Sequence, residues 1–508
     1  MDKIDTMIVL GGGTSGMITA LMMKTQYPDK DIRVIESSAV GIIGVGEGAT
    51  EHWHHFCDFI GIPLEETLAE CGATLKAGIK FSNWGVPDYY HATCEPYSQA
   101  AGDYLAVYAL MISQGASPID IIFDRRCVNN EIPVGWLEGT AACPVNQFHF
   151  NTFSTNDYLH KLCKNRNIPV IDDKITDVEL TDDGYIKTLH GGNDSYSADF
   201  FIDCSGFSKL LISKLGAKWV SYKDHLWLNS AIAFPTEDTD EYPVCTQATA
   251  LDYGWMWNTP VRGRWGNGYV FCDKYIDFDQ AQAEVERVLG KKVNIAKKIK
   301  FEAGKLDKAW IKNCASIGLC SSFVEPLESS AISQTVLQAF LITNLLPCWL
   351  NNNEEIAEIY NDKCDNLCEN ILDFIAVHYV SPREDTAFWR DLKDNREQWM
   401  PQSLKTKLAK WEKRLPMVVD FNKQYSLFAA SNWIVTLHGM QLIKRENVER
   451  EVSMLSPYIK IRSQEIIDVN KKLEQELVHM PHKKILELFL EKYKEHMEKI
   501  QGFQNVHQ

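Results

Sequence analysis

The chain has 508 residues, 45% of them apolar and 24% charged, with a net charge of −16; this length sets an expectation of two or three domains. The acidic balance, without any Lys/Arg cluster, argues against nucleic acid as a partner. Fourteen cysteines with no leader before the first strand point to reduced thiols and a cytoplasmic protein, and no apolar run reaches the roughly 18 residues of a membrane crossing, the best candidate, 335–350, being interrupted by Gln338, Thr343, Asn344 and Pro347.

Thr6-Met-Ile-Val-Leu10 is an apolar run bounded by glycine, the pattern of a buried parallel strand. Gly11-Gly-Gly13-Thr-Ser-Gly16 follows, residues 17–27 read as a helix, and 31–35 read as a second strand ending in Glu36, 20 residues past Gly16. Strand, glycine loop, helix and acid in this register form a dinucleotide-binding fingerprint. The glycines allow close backbone approach, the helix N-terminus faces a pyrophosphate, and the acid accepts from ribose hydroxyls. Gly11, Gly13, Thr14, Ser15, Gly16 and Glu36 are the expected contacts.

Ile43-Gly-Val-Gly-Glu-Gly-Ala-Thr50 is a second glycine-dense loop, more useful to a long extended flavin than to a nicotinamide; it adds Gly46, Glu47, Gly48 and Ala49 to the cofactor set. Glu51-His-Trp-His-His55 lacks a recognisable metal-ligand spacing and reads as surface or pocket-lining, so no metal is expected. Residues 74–84 alternate, with Leu75, Ala77, Ile79 and Phe81 on one face and Thr74, Lys76, Gly78 and Lys80 on the other. Lys76 is then either solvated or held in a cavity for chemistry, and periodicity does not choose.

Short strands over 147–150, 170, 175–180, 186–189 and 196–202 end in Asp203-Cys-Ser-Gly-Phe207, a strand-end acid suited to a cofactor edge. Gly254-Trp-Met-Trp-Asn-Thr-Pro260 puts Trp255 and Trp257 on one side of a strand closed by Pro260, implying a flat aromatic wall. Phe323-Val-Glu-Pro-Leu-Glu-Ser-Ser-Ala-Ile332 is a seam, with strands and cofactor loops before it and helices after it. A helix over 333–346 stops at Pro347, another spans 354–378 with Cys364 and Cys368 on its apolar face, and an amphipathic tail over 462–499 reads as a solvated outer helix pair. The expected fold is α/β: an FAD-binding Rossmann-like domain of flavin monooxygenase type, an additional β-sheet region and a mainly helical C-terminal part. The boundary falls between an FAD-binding, mixed-sheet catalytic half over 1–332 and a substrate-side half over 333–508.

Taken together, the motifs resemble the flavin-dependent halogenases of the tryptophan halogenase family. The glycine fingerprint, the Gly44–Thr50 loop, Lys76 with Asn83-Trp84, Asp203 to Phe207, Gly254 to Pro260 and Val324 to Ala331 occur in family order, and His378-Tyr379 and Trp433 extend the likeness over nearly the whole chain. The resemblance implies FAD as FADH2, supplied by a separate NAD(P)H-dependent flavin reductase. Reaction with O2 then yields a C4a-hydroperoxide whose distal oxygen a halide ion attacks. The resulting hypohalous acid passes through an internal tunnel to Lys76 and halogenates an electron-rich aromatic small molecule, an indole, phenol or similar. Glu328 stands near Lys76 and takes up the proton or orients the oxidant. The same resemblance adds Gly318 and Leu327 to the cofactor contacts, makes Ser329, Ser330 and Ala331 the halide site, and makes Trp255 and Trp257 a barrier between substrate and flavin. Ser330-Ala331 depart from the Thr-Gly or Thr-Ser of many members, which would widen the halide site toward bromide or iodide. The Trp pair argues against the alternative of a flavin-dependent hydroxylase, and Lys76 with Glu328 against a non-catalytic flavin-binding protein. The resemblance involves no membrane and is compatible with a homo-oligomer.

Overall fold

A computed structural model describes residues 3–41, 47–92, 105–121, 129–137, 140–142, 145, 147–351, 353–421 and 425–506. Gly46, expected in the cofactor set, lies outside them. Thr6–Leu10 pairs in parallel with Asp31–Glu36 on one side and Phe200–Asp203 on the other. The sheet continues outward through Val170–Asp172 at one edge and Cys314–Ser316 and Trp310–Ile311 at the other. Both faces are covered, which is why these strands are apolar without alternation. Val9 and Val34 pack with the helix Thr14–Gln26 in one core, and Ile8, Leu10 and Ile35 pack with Val178, Leu189 and Leu211 in another.

A second sheet of seven strands is the expected additional β region. Its order is Lys297–Lys300, Ser230–Thr236, Arg264–Phe271, Gly254–Val261, Cys245–Ala250, Gly78–Ser82 and Tyr89–Ala92. A small antiparallel sheet places Gln147–Phe150 between Glu47–Ala49 and Thr74–Lys76. The alternating stretch 74–84 is therefore two strands, not one. It breaks at Ala77, whose N–H bonds Val244, and the chain passes from the small sheet into the large one. Both faces of the first piece are buried, so alternation there does not mark a solvent side; Lys76 has no exposure, while Lys80 reaches Asp88 near the surface.

The helix after the seam runs Ser330–Trp349, three residues earlier than expected and through Pro347. Proline at 347 leaves the Thr343 carbonyl without its helical N–H donor, and the Tyr27 hydroxyl donates to that carbonyl at 2.5 Å. A foreign donor thus repairs the break. By length and composition the segment Leu327–Trp349 is apolar enough to cross a membrane, contrary to the sequence reading. Its apolarity is spent on the protein core, where it packs between Thr14–Gln26 and Asn353–His378. The expected boundary at 332 therefore falls within the first turn of a helix that packs on the cofactor half.

The tail is also more than a solvated pair. Pro457–Glu476 and His482–Val506 flank a strand, Val478–Pro481, that pairs with Glu131–Leu137. His482 is 1% exposed: its Nε2 accepts from Leu75 N–H at 3.0 Å, and its Nδ1 lies 2.9 Å from the Tyr242 carbonyl. Amphipathicity could not reveal this, because one buried histidine at a helix start does not alter the period of the polar face. Cys364 and Cys368 are buried core thiols, and every cysteine among the described residues is free.

Candidate active site

The glycine loop has the geometry its spacing requires. Gly11 has φ +121°, and a Cβ there would lie 2.3 Å from the Cys204 carbonyl oxygen; one on Gly16 would lie 1.8 Å from the Gly11 oxygen. Neither position admits a side chain. Gly13, by contrast, faces open space, and the helix Thr14–Gln26 that it caps has no side-chain cap and no acid in its first turn. An uncapped N-terminus beside an open cradle fits a pyrophosphate. Ser15 is anchored to Thr335 at 3.0 Å, and Glu36 stands half-exposed with its Oε2 over Gly12 and 3.4 Å from His160. Burial raises the Glu36 carboxyl above its ordinary value. These residues fit FAD.

Asp203 turns inward. It is fully buried, its Oδ1 accepts from Ser205 N–H, and its Oδ2 accepts from Leu211 and Ile212 N–H at 2.7 and 2.9 Å. It shapes the turn beside Gly11 with both carboxylate oxygens already occupied.

Lys76, on the small sheet, donates from Nζ to Ser329 Oγ at 3.0 Å. Burial and the Lys76 charge hold His149 well below its ordinary pKa, and burial brings His482 down to about 4. Both neighbouring imidazoles are thus neutral at physiological pH. Gly48 closes the same corner: a Cβ there would lie 2.5 Å from Ser329 Oγ and 3.0 Å from Lys76 Nζ. Gly48→Ala is accordingly expected to lower turnover per bound flavin by about 10²-fold through a displacement near 1 Å, read by product formation normalised to a flavin-binding titration.

Glu328 and Ser329 both have left-handed backbones, φ 68° and 54°. Two adjacent non-glycine residues there store on the order of 1–3 kcal/mol each. The clamp that holds them is visible. Glu328 Oε2 lies 2.5 Å from His91 Nδ1, and its Oε1 lies 2.9 Å from His378 Nε2, all buried. The Tyr89 hydroxyl stands 2.9 Å from His378 Nδ1 and the Asn432 amide 3.0 Å from His91 Nε2; His91 Nδ1 makes the hydrogen bond to Glu328, while His378 Nε2 stands in ion-pair range of Oε1 without hydrogen-bond geometry. Burial alone would raise the Glu328 carboxyl, but the two imidazoles override it and bring it to about 2. Burial outweighs the carboxylate at His378 and keeps that ring neutral. The strained pair sends Glu328 to its histidines and Ser329 to Lys76.

Leu327 is buried one residue earlier. Ser330 and Ala331 line a small enclosed cavity together with Gly318, Leu319, Glu325 and Gln334, at the uncapped start of Ser330–Trp349. Gly318 has φ +67°, and a Cβ on it would meet Ser15 Oγ at 2.3 Å. Glu325 accepts from Tyr379 OH at 2.7 Å and from Trp255 Nε1 at 3.2 Å, and burial pushes its carboxyl up to about 7. Trp255 and Trp257 share a face as expected, but their rings are tilted by 55° with centroids 6.1 Å apart, so the wall is not flat. The strand continues through Pro260 to Val261, and Trp257 lies over Gly268 of the neighbouring strand.

Sequence reasoning had no role for His91, His149 or His482, and had only family likeness for His378. Tyr89 and His91 alternate on a strand and His378 ends a long helix; that pattern carries the side chains but not their convergence on Glu328.

The family model for tryptophan halogenases matches residues 6–454 of this chain. The chain is 30% identical over 456 residues to the 7-chloro-L-tryptophan 6-halogenase KtzR of Kutzneria sp., covering 81% of this chain and 85% of that protein. It is 28% identical over 459 residues to the tryptophan 6-halogenase SttH of Streptomyces toxytricini, covering 81% and 84%. The tryptophan halogenase of Shewanella frigidimarina superposes with a TM-score of 0.88 at 25% identity, covering 96% of this chain and 98% of that one.

Proposed function

Because this chain belongs to the tryptophan halogenase family, we propose that it is a flavin-dependent halogenase of an electron-rich aromatic small molecule, an indole, a phenol or similar. The observation that carries the reading is the buried Lys76 Nζ bonded to Ser329, one residue along from a buried carboxyl set between two histidines. Bound in reduced form, FAD supplies hypohalous acid from O2 and halide. The reduced flavin comes from a separate NAD(P)H-dependent reductase, in the cytoplasm.

The chain's own residues do the rest. Gly11, Gly13, Thr14, Ser15, Gly16, Glu36, Gly48, Ala49, Gly318 and Leu327 hold the cofactor, and Asp203 fixes the turn that backs it. Ser329, Ser330 and Ala331 present helix N-terminal groups to the halide. Lys76 donates to the oxidant and raises its electrophilicity. Glu328 takes the proton that leaves the ring. That proton sits on a cationic arene adduct, a strong acid, so a weak base held permanently ionised is sufficient. Trp255, fixed by Glu325, stands with Trp257 between the arene and the flavin, so halogen rather than oxygen reaches the ring.

Incubation with FAD, a generic flavin reductase, NADH and each halide in turn, over a panel of indoles and phenols, tests the reading by product mass. Halogenated product that requires halide is expected. Its absence across the panel, with flavin shown to be bound and reduced, would overturn the assignment, and oxygenated product without halide would mark a hydroxylase.

A further inference from the structure

Beyond fixing Trp255, Glu325 has no part in the chemistry proposed above, yet it is 3% exposed and lines the cavity bounded by Gly318, Leu319, Ser330 and Ala331. Both of its donors, Tyr379 OH and Trp255 N–H, go to Oε1, and Oε2 has no hydrogen-bond partner. That asymmetry suits a neutral carboxylic acid. Ionised, Oε2 would be a buried charge-bearing oxygen without a donor, which is heavily penalised. Protonated, the same oxygen becomes a free donor on a residue that lines the cavity. The other groups there point the same way, since the helix Ser330–Trp349 begins at its wall with neither a side-chain cap nor an acid in its first turn.

Among the described residues, no cation is recorded pairing with Glu325. Lys305, on the strand paired with Ser322–Phe323, is bound by Asp365, and Lys76 is bonded to Ser329. Tyr379 is the titratable group bonded to Glu325; the thiols Cys320, Cys364 and Cys368 are buried on the adjoining segments, and Glu328 with its two histidines stands three residues on. Burial pushes all three thiols and the phenol up, so they stay neutral.

We infer that Glu325 couples halide binding to a proton: protonated, it donates from Oε2 to a halide ion held at the start of Ser330–Trp349, and ionised, it expels that halide. The inference rests on the proposed function and adds to it the residue that sets the pH range of halide entry. The only bond that changes is the Glu325 O–H, whose proton exchanges with water. Because burial brings this carboxyl up to about 7, the change falls near neutral pH.

Isothermal titration of bromide into the FAD-loaded protein, in chloride-free buffer at constant ionic strength from pH 5.5 to 8.5, tests it. The apparent Kd of the wild type is expected to be flat below about pH 6 and to rise toward about tenfold per unit above about pH 7, the signature of one linked proton. Glu325→Gln, a permanently neutral donor, is expected to bind bromide with no break in the profile. Should that variant not fold, Glu325→Asp is expected to move the break. Wild-type affinity that is flat with pH, or a Gln variant with the wild-type slope, overturns the inference and leaves the halide site standing. Absence of bromide binding at every pH overturns both.

Discussion

Lys76→Ala is expected to lower arene halogenation by about 10³-fold, within the range for removing a positioned donor, while FAD still binds and is still reoxidised. Lys76 has no exposure, it reaches Ser329 Oγ at 3.0 Å, and the imidazoles of His149 and His482 nearby are held neutral. Neither ring can replace its charge. Lys76→Met separates charge from packing, because it keeps most of the stem that fills the corner under Gly48; it should fall as far as the alanine variant. Lys76→Arg should not rescue, since a planar guanidinium is not a compact ammonium. Product mass in single-turnover reactions, with a soluble β-diketone as trap, reads the outcome. The lost product should reappear as halogenated trap, and undiminished arene halogenation would remove the core of the mechanism.

Glu328→Gln is expected to lower turnover by about 10²-fold without affecting the yield of trapped oxidant. The variant keeps the volume and loses the charge that His91 and His378 surround. Its stability should carry a distinct pH signature. The folded carboxyl is depressed to about 2 from an ordinary value of 4.5, so its contribution is fully present above the unfolded value and is lost as pH falls through the folded one. Thermal midpoints of wild type and variant should therefore differ by a constant amount above about pH 5 and converge between about 4.5 and 2. A gap that persists unchanged to pH 2 would mean that the histidines do not hold the charge.

These expectations depend on unequal shares of sequence and structure. The run Thr6 to Gly16 and the acid at Glu36 are local statements: a strand, a tight turn and a helix start follow from neighbours in the chain, and the steric conflict at Gly16 is with Gly11, five residues away. The Trp255/Trp257 pair is local too, because a strand's period places both on one face, although the 55° tilt of their rings depends on Gly268 across the sheet. Helix existence after the seam was legible; its passage through Pro347 was not, since the donor that repairs the break is Tyr27, 316 residues distant.

Sequence by itself determined the dinucleotide fingerprint, the order of the motifs and the identity of Lys76 and Glu328 as the residues to watch. Only the tertiary structure decided what each of them meets. Lys76 lies on Ser329, Glu328 lies between two histidines from a sheet edge and a helix end, and Glu325 lies in the cavity with one oxygen unpartnered. The physical reason is that periodicity records which face of an element is buried, whereas the charge state of a buried carboxyl depends on donors brought from distant parts of the chain. Glu325 and Glu328 stand three residues apart in one turn, and burial without a cation sends one up to about 7 while two imidazoles send the other down to about 2.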